Sequence, residues 1–325
     1  MVNEPELAEA IERLRGEWAE RSGGSLTAES RPWNDVAASI EADVILFPSR
    51  YLGELCTGDG LRPVRPNVLQ SREFNAADVF PLVRHQLIRW GGQTMALPLG
   101  VDLTAAGEPI RRPPAIRWLT HAAPHLVSND RIGVLFDPQT MKPRITEPPF
   151  IDALQQFAES NADDRSTRSA EAQRVPVLGY ADRLAAVTTA SRNAASAFQL
   201  VGWLAAPEIS SQLARAGEGT LPVRRSLASL PAWHDPKLTS DERTELATEL
   251  TAALSQHQCL LIPRIPGIDD YLAALDDAIQ AAVAHPADAH TALQQAAAAW
   301  EKISESRGRD AQRTAYAKHL SISEP

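Results

Sequence analysis

Runs of basic residues are missing from this chain. No stretch holds more than two consecutive Lys or Arg, and 41 Asp and Glu against 32 Lys and Arg leave a formal net charge of -9. Nucleic-acid binding needs clustered cations to neutralise phosphates, so this balance argues against such a partner. No apolar run approaches the ~18 residues of a membrane span. Cysteine is nearly absent. Cys56 and Cys259 stand far apart, with no CxxC and no His/Cys spacing suited to zinc. They could pair only if the fold joins them, and two buried free thiols are the simpler reading. The phosphate-loop and dinucleotide glycine motifs are absent, as is the G-x-S-x-G elbow. His121 and His125 are four apart, yet two ligands do not fill a metal site, so they read as ordinary helix histidines. The carboxylate pairs Asp163-Asp164, Asp269-Asp270 and Asp276-Asp277 are adjacent in sequence. Neighbours on a helix point about 100° apart, so these read as solvated faces rather than acid/base pairs. The absence of any nucleophile–base or metal set suggests a non-enzyme with no cofactor.

What is present fits a globular α/β protein. With 325 residues there is length for two domains at ~150 residues each, and 44% of residues are hydrophobic. Pro5–Arg21 has the apolar stripe of an amphipathic helix, in Leu7, Ala10, Ile11, Leu14 and Trp18. Leu26–Glu29 suggests a short strand and Asp35–Glu41 a short helix. Ala42 to Pro48 is short, β-branched and stopped by proline, the pattern of a buried strand. A helix is expected over Arg50–Cys56. Ligands in open α/β sheets sit beyond the carboxyl ends of strands, which places Phe47, Ser49, Arg50 and Tyr51 at a possible ligand rim. Phe47 and Tyr51 fit the core equally well. Trp90 to Gly100 reads as strands joined at a glycine turn. Helices are expected at Ala115–His125 and Pro149–Ser160, with a strand-like stretch between them at Arg131–Pro149 and a polar linker at Asn161–Gln173.

Val175 to Ser226 gives a strand, a second strand at Leu184–Thr188, capping residues Ser191 and Asn193, and a helix carrying Ala197, Phe198, Val201 and Leu204 on one face. Trp203 suits the core of that helix. Arg224-Arg225 suggests either an anion site or an ion pair holding two lobes together. Further helices follow at Thr239–Gln258, Ile268–His285, Asp288–Ile303 and Asp310–Leu320, with a short strand at Cys259–Ile262.

Several of these segments together resemble the extracellular solute-binding proteins of ABC importers, the sugar-binding type. The resemblance rests on Ser191-Arg192-Asn193, Ala197-Phe198, Trp203-Leu204, Pro207-Glu208 and Thr220 to Ser226. It extends to Ala42-Asp43-Val44, Gly60 to Val64, Trp90 to Gly100, and Leu293 to Ile303. It breaks between about Asp102 and Trp118, where the chain looks shortened.

The resemblance implies a two-lobe, periplasmic-binding-protein-like α/β fold with a cleft between lobes and a helix-rich C-terminal part. Residues 1–102 would form the first lobe, 103–173 a shortened second-lobe segment and linker, and 174–325 the part that completes both. The implied ligand is a small-molecule carbohydrate, the implied partner an ABC permease, and the implied state a monomer. Asp102, just past the expected strand, would accept hydrogen bonds from sugar hydroxyls, or be a plain loop residue. Tyr180, Trp233 and Tyr271 are the candidates for stacking on a pyranose. The implied location is periplasmic or extracellular. The start, MVNEPELAEAIERLRGEW, does not read as a signal peptide, which leaves a cytoplasmic location open. The alternative is a shortened, non-transporting scaffold or partner-binding relative.

Overall fold

The computed structural model describes residues 4–33, 40–103, 112–127, 133–162, 175–216, 220–230 and 239–322. The first apolar stripe forms two helices rather than one, α1 (Pro5–Arg13) and α2 (Arg15–Ser22), divided at Leu14. Gly23, at φ 69°, closes the second in the left-handed conformation that glycine adopts without a Cβ penalty. The strand expected at Leu26–Glu29 does not form. The Ala28 N–H is instead taken by the Glu12 carboxylate of α1. The helix expected at Asp35–Glu41 lies almost wholly outside the described residues.

β1 (Val44–Pro48) is buried from Val44 through Phe47. A short turn at Ser49–Tyr51 leads into α3 (Leu52–Thr57). A hairpin follows, β2 (Arg89–Trp90) and β3 (Gln93–Thr94), turning on Gly91 and Gly92 at φ 55° and 78°. Two positive φ angles define the type I′ turn that suits paired strands. β4 (Leu97–Gly100) comes next. The chain returns much later to supply the central strand of the same sheet. β6 (Arg183–Val187), preceded by the short β5 (Val177–Leu178), lies antiparallel between β1 and β4, with Val44 opposite Val187 and Leu97 opposite Ala185. Its one charge, Arg183, is only 2% exposed. Glu4 neutralises it at 2.6 Å, and the carbonyls of Leu213 and Ala216 accept from it. Burying a cation is costly unless acceptors such as these satisfy it.

The helices α6 (Ala194–Leu204) and α7 (Pro207–Leu213) cover this sheet, and α1 packs on α7. Trp203 is core, 5.2 Å from the Trp18 ring. Asn193 is the N-cap residue of α6 but its side chain makes no cap bond. Ser191 instead binds the Asp43 carboxylate and accepts the Asn193 N–H. Arg224 resolves as an ion-paired core residue rather than an anion site. It is fully buried, lies 3.7 Å from Asp78, and donates to the Ala205 carbonyl.

A second body is helical. It contains α4 (Pro114–Leu126), α5 (Pro148–Ala162), α9 (Ile268–Ala284) and α10 (Ala289–Ser306), packed on one another. The pair β5 and β7 (Leu260–Leu261) runs parallel beside α4. α8 (Ser240–Leu254) starts with a capping box at Thr239, where the Glu242 N–H donates to the hydroxyl and the Glu242 carboxylate accepts from the Thr239 N–H. The described part of the stretch expected to be strand-like at Arg131–Pro149 is a turn held by Asp137, with a single bridge between Phe136 and Pro143. Partial burial raises the Asp137 pKa, but bonds from Thr140, Arg144 and Gln139 outweigh it and hold it at about 2. A lowered folded-state pKa means that its stabilisation is complete above the unfolded value of 3.8 and is lost as pH falls through about 2. A carbon-detected NMR titration should place the Asp137 midpoint near 2, and a midpoint near 3.8 would contradict this turn.

α11 (Arg309–His319) touches both bodies, packing on α10, α3 and β2. Cys56 and Cys259 are free thiols, each pushed up to about 12 by burial.

Candidate ligand site

The two bodies meet where β1 ends. Asp182, 1% exposed, ties three stretches of chain together there. Its carboxylate accepts from Ser49 Oγ at 2.8 Å, from the Gly179 N–H at 2.6 Å and from the Asp102 N–H at 3.0 Å. Its carbonyl accepts the Ser49 N–H at 2.7 Å. Burial pushes its pKa up, against the opposing pull of those donors and of Arg112. The end of β1, the residue beyond β4 and the turn before β6 are thereby fixed to one carboxylate.

Arg50 and Tyr51 project from this knot. The Arg50 guanidinium lies 4.4 Å from the Tyr51 ring centre and 4.8 Å from that of Tyr180. Trp33 stacks on Tyr51 at 3.8 Å, with an angle of 8° between the rings. A parallel indole that close occupies one whole face of the phenol, so Arg50 takes the other. Cations over aromatic faces gain about 0.5–2 kcal/mol each as they lose water. Arg50 donates from Nη2 to Tyr51 Oη at 3.0 Å and from Nη1 to the Tyr180 carbonyl at 3.3 Å. From the helical body, Asp269 accepts Arg50 Nε at 3.1 Å and the Tyr51 hydroxyl at 2.6 Å. Burial and the Asp269 bond push the Tyr51 pKa well above its ordinary value.

The residues expected at a ligand rim therefore divide. Arg50, Tyr51 and Tyr180 come together. Phe47 is 2% exposed and packs in the core, and Ser49, fully buried, spends its hydroxyl on Asp182. Tyr271 is also core. Its hydroxyl is 3.0 Å from Ser304 Oγ, its carbonyl accepts from Trp300 Nε1, and its ring packs edge-on to Phe136 and Trp300. None of these three offers a face to a ligand: the Phe47 and Tyr271 rings are buried in the core, and the Ser49 hydroxyl is held by Asp182. Tyr51, 4% exposed and covered on both faces, is not a stacking platform, and its hydroxyl is taken by Asp269 and Arg50. Asp102 is ion-paired with Arg112. Trp233 lies outside the described residues.

Sequence reasoning missed three members, Trp33, Asp182 and Asp269. Trp33 follows Arg31-Pro32, where an aromatic next to a proline was the available signal. Asp269 was read as half of a solvated pair. Both carboxylates are indeed exposed, at 54% and 58%, but Asp269 also bonds Arg50 and Tyr51 across the junction while Asp270 pairs with Arg307 at 2.6 Å. Two surface hollows of about 470 and 460 Å³ lie along α1, lined by residues such as Arg13, Arg215 and Glu12. Neither includes Arg50, Tyr180 or Asp269.

No protein-family profile and no curated protein sequence matches this chain. Solved structures do. The sugar-binding protein MalE of Xanthomonas citri superposes with a TM-score of 0.69 at 14% identity, covering 94% of this chain and 97% of its own. An ABC substrate-binding protein of Listeria monocytogenes, solved with cycloalternan, gives 0.65 at 11% identity, with 94% and 97% covered. The maltose-maltodextrin binding protein of Alicyclobacillus acidocaldarius gives 0.61 at 13%, with 92% and 98% covered. The matches run across nearly all of these neighbours, which removes the support a deficient second lobe gave to the scaffold alternative. The chain has the two-lobe fold that these solved binding proteins share.

Proposed function

We propose that this protein captures a carbohydrate between its two lobes and presents it to an ABC permease, without chemical transformation of the ligand. The sheet body is the first lobe and the helical body the second, and the chain passes between them beyond β4, before β6 and once more before β7. The observation that carries the reading is the Arg50–Tyr51–Tyr180 cluster at the junction of two bodies in a fold shared with maltose- and cycloalternan-binding proteins. A guanidinium has five N–H donors. Three serve Asp269, Tyr51 and the Tyr180 carbonyl. The two that remain suit the oxygens of a sugar hydroxyl pair. Tyr180, half-buried against the core, would offer the ring face turned away from Arg50 to the CH surface of a pyranose. The site is periplasmic or extracellular in this reading, and the protein acts as a monomer.

A thermal-shift screen against mono- and oligosaccharides tests the proposal. A glycan at 100 times its Kd stabilises the folded state by about 2.7 kcal/mol. Stabilisation by at least one neutral glycan is the expected result. A panel of maltodextrins, cyclic glucans, disaccharides and common monosaccharides that leaves the melting curve unmoved would contradict it.

A further inference from the structure

The contacts between the two bodies at residues 264–269 are of two opposite kinds. Arg264 is wholly buried. Its guanidinium donates to the Leu87 and Arg89 carbonyls of the sheet body and to His319 Nδ1, at 3.2 Å from Nε. Gly53 of α3 lies against it so closely that a Cβ there would sit 1.7 Å from the Arg264 carbonyl oxygen. Contact of this kind leaves no room for water and does not cycle. Five residues on, the Asp269 side chain is 54% exposed and still holds Arg50, which is 18% exposed, and Tyr51. Water reaches this carboxylate, so its bonds can break and re-form without opening the core.

We propose that Asp269 is a releasable latch between the lobes and that the Arg264 contact is the fixed pivot beside it. Asp269 lies in the first turn of α9 and Arg264 just before that helix, so a small rotation about the buried point moves Asp269 away from Arg50 and Tyr51. The latch favours the closed arrangement before any ligand arrives, and on ligand binding it holds the Arg50 guanidinium against the two tyrosine rings. An exposed ion pair reinforced by one hydroxyl bond contributes modestly, enough to shift a closed-to-open ratio about fivefold. A latch of that strength biases the equilibrium yet yields to thermal motion, as ligand entry requires. That the latch guards a carbohydrate rests on the function proposed above, but its effect on the ligand-free protein does not.

Small-angle X-ray scattering of the ligand-free protein tests it. Asp269→Asn should enlarge the radius of gyration relative to wild type, with a closed-to-open ratio reduced about fivefold, and Tyr51→Phe should produce part of that change. Wild type in 1 M NaCl should move toward the Asp269→Asn profile, since salt screens the ion pair. Circular dichroism melts of both variants close to wild type confirm folding, as is expected for a half-exposed side chain. Superimposable scattering for wild type and both variants would overturn the latch. If the variants open but no glycan binds wild type, the latch stands and the carbohydrate reading falls. If a glycan binds and the scattering does not change, the latch alone falls.

Discussion

Arg264→Ala is expected to lower the urea midpoint of unfolding by about 1 M, corresponding to roughly 3–5 kcal/mol at the m-value of a chain this size. The side chain is buried without a carboxylate, and burial pulls its pKa down to about 10. Desolvation is therefore already charged against it. What offsets that cost is the set of acceptors it satisfies, the Leu87, Arg89 and His319 carbonyls and His319 Nδ1. Removing the side chain strands the carbonyls away from water, at about 1–3 kcal/mol each before relaxation, and leaves a cavity, while His319 Nδ1 keeps the Arg264 backbone N–H at 3.3 Å. His319 must be neutral to accept, and burial together with Arg264 holds its pKa well below the usual value. Arg264→Met separates packing from hydrogen bonding. It refills the volume and leaves the acceptors stranded, so it should recover only a minor part of the loss. Full recovery by methionine would show that packing alone holds the junction.

Arg50→Ala is expected to weaken glycan binding about 100-fold while leaving the fold intact. Hydrogen bonds from a charged group contribute about 1.5–3 kcal/mol, and each 1.4 kcal/mol is tenfold in Kd. The guanidinium also props Tyr180 against Tyr51, so its loss frees the platform on which a pyranose would stack. Its side chain lies at the junction rather than in the core, and its removal strands one exposed carboxylate, Asp269, that water can solvate. Titration calorimetry with the best-stabilising glycan reads the effect directly. A Kd within threefold of wild type would place the ligand elsewhere. Arg50→Lys should recover little, because a single ammonium cannot span two rings and three acceptors in one plane.

Much of the scaffold was legible because its elements advertise themselves locally. Val44–Phe47 is β-branched and proline-stopped, the Gly91-Gly92 turn demands positive φ, and Thr239 and Glu242 form a complete capping box. The pairing of β1 with β6 was not legible, since no local signal joins Val44 to Val187. The candidate cluster was half legible for the same reason. A rule about strand ends singled out Arg50 and Tyr51, which the fold places in that cluster, but it could not separate them from Phe47 and Ser49, whose alternation into the core and onto Asp182 is set by tertiary contacts. Tyr271 carries the helical spacing of a core residue and proved to be one. Asp269 and Trp33 act across lobes and from a distant segment, so neither spacing nor propensity could place them beside Arg50.

The central claim is that a carbohydrate binds at the Arg50–Tyr180 cluster. Trp33, stacked on Tyr51 within that cluster, is a built-in reporter. Intrinsic fluorescence followed through a glycan titration should show a saturable change in wild type that disappears in Trp33→Phe while calorimetry still detects binding. No saturable change with any stabilising glycan, or an identical change in Trp33→Phe, would contradict a ligand at this site.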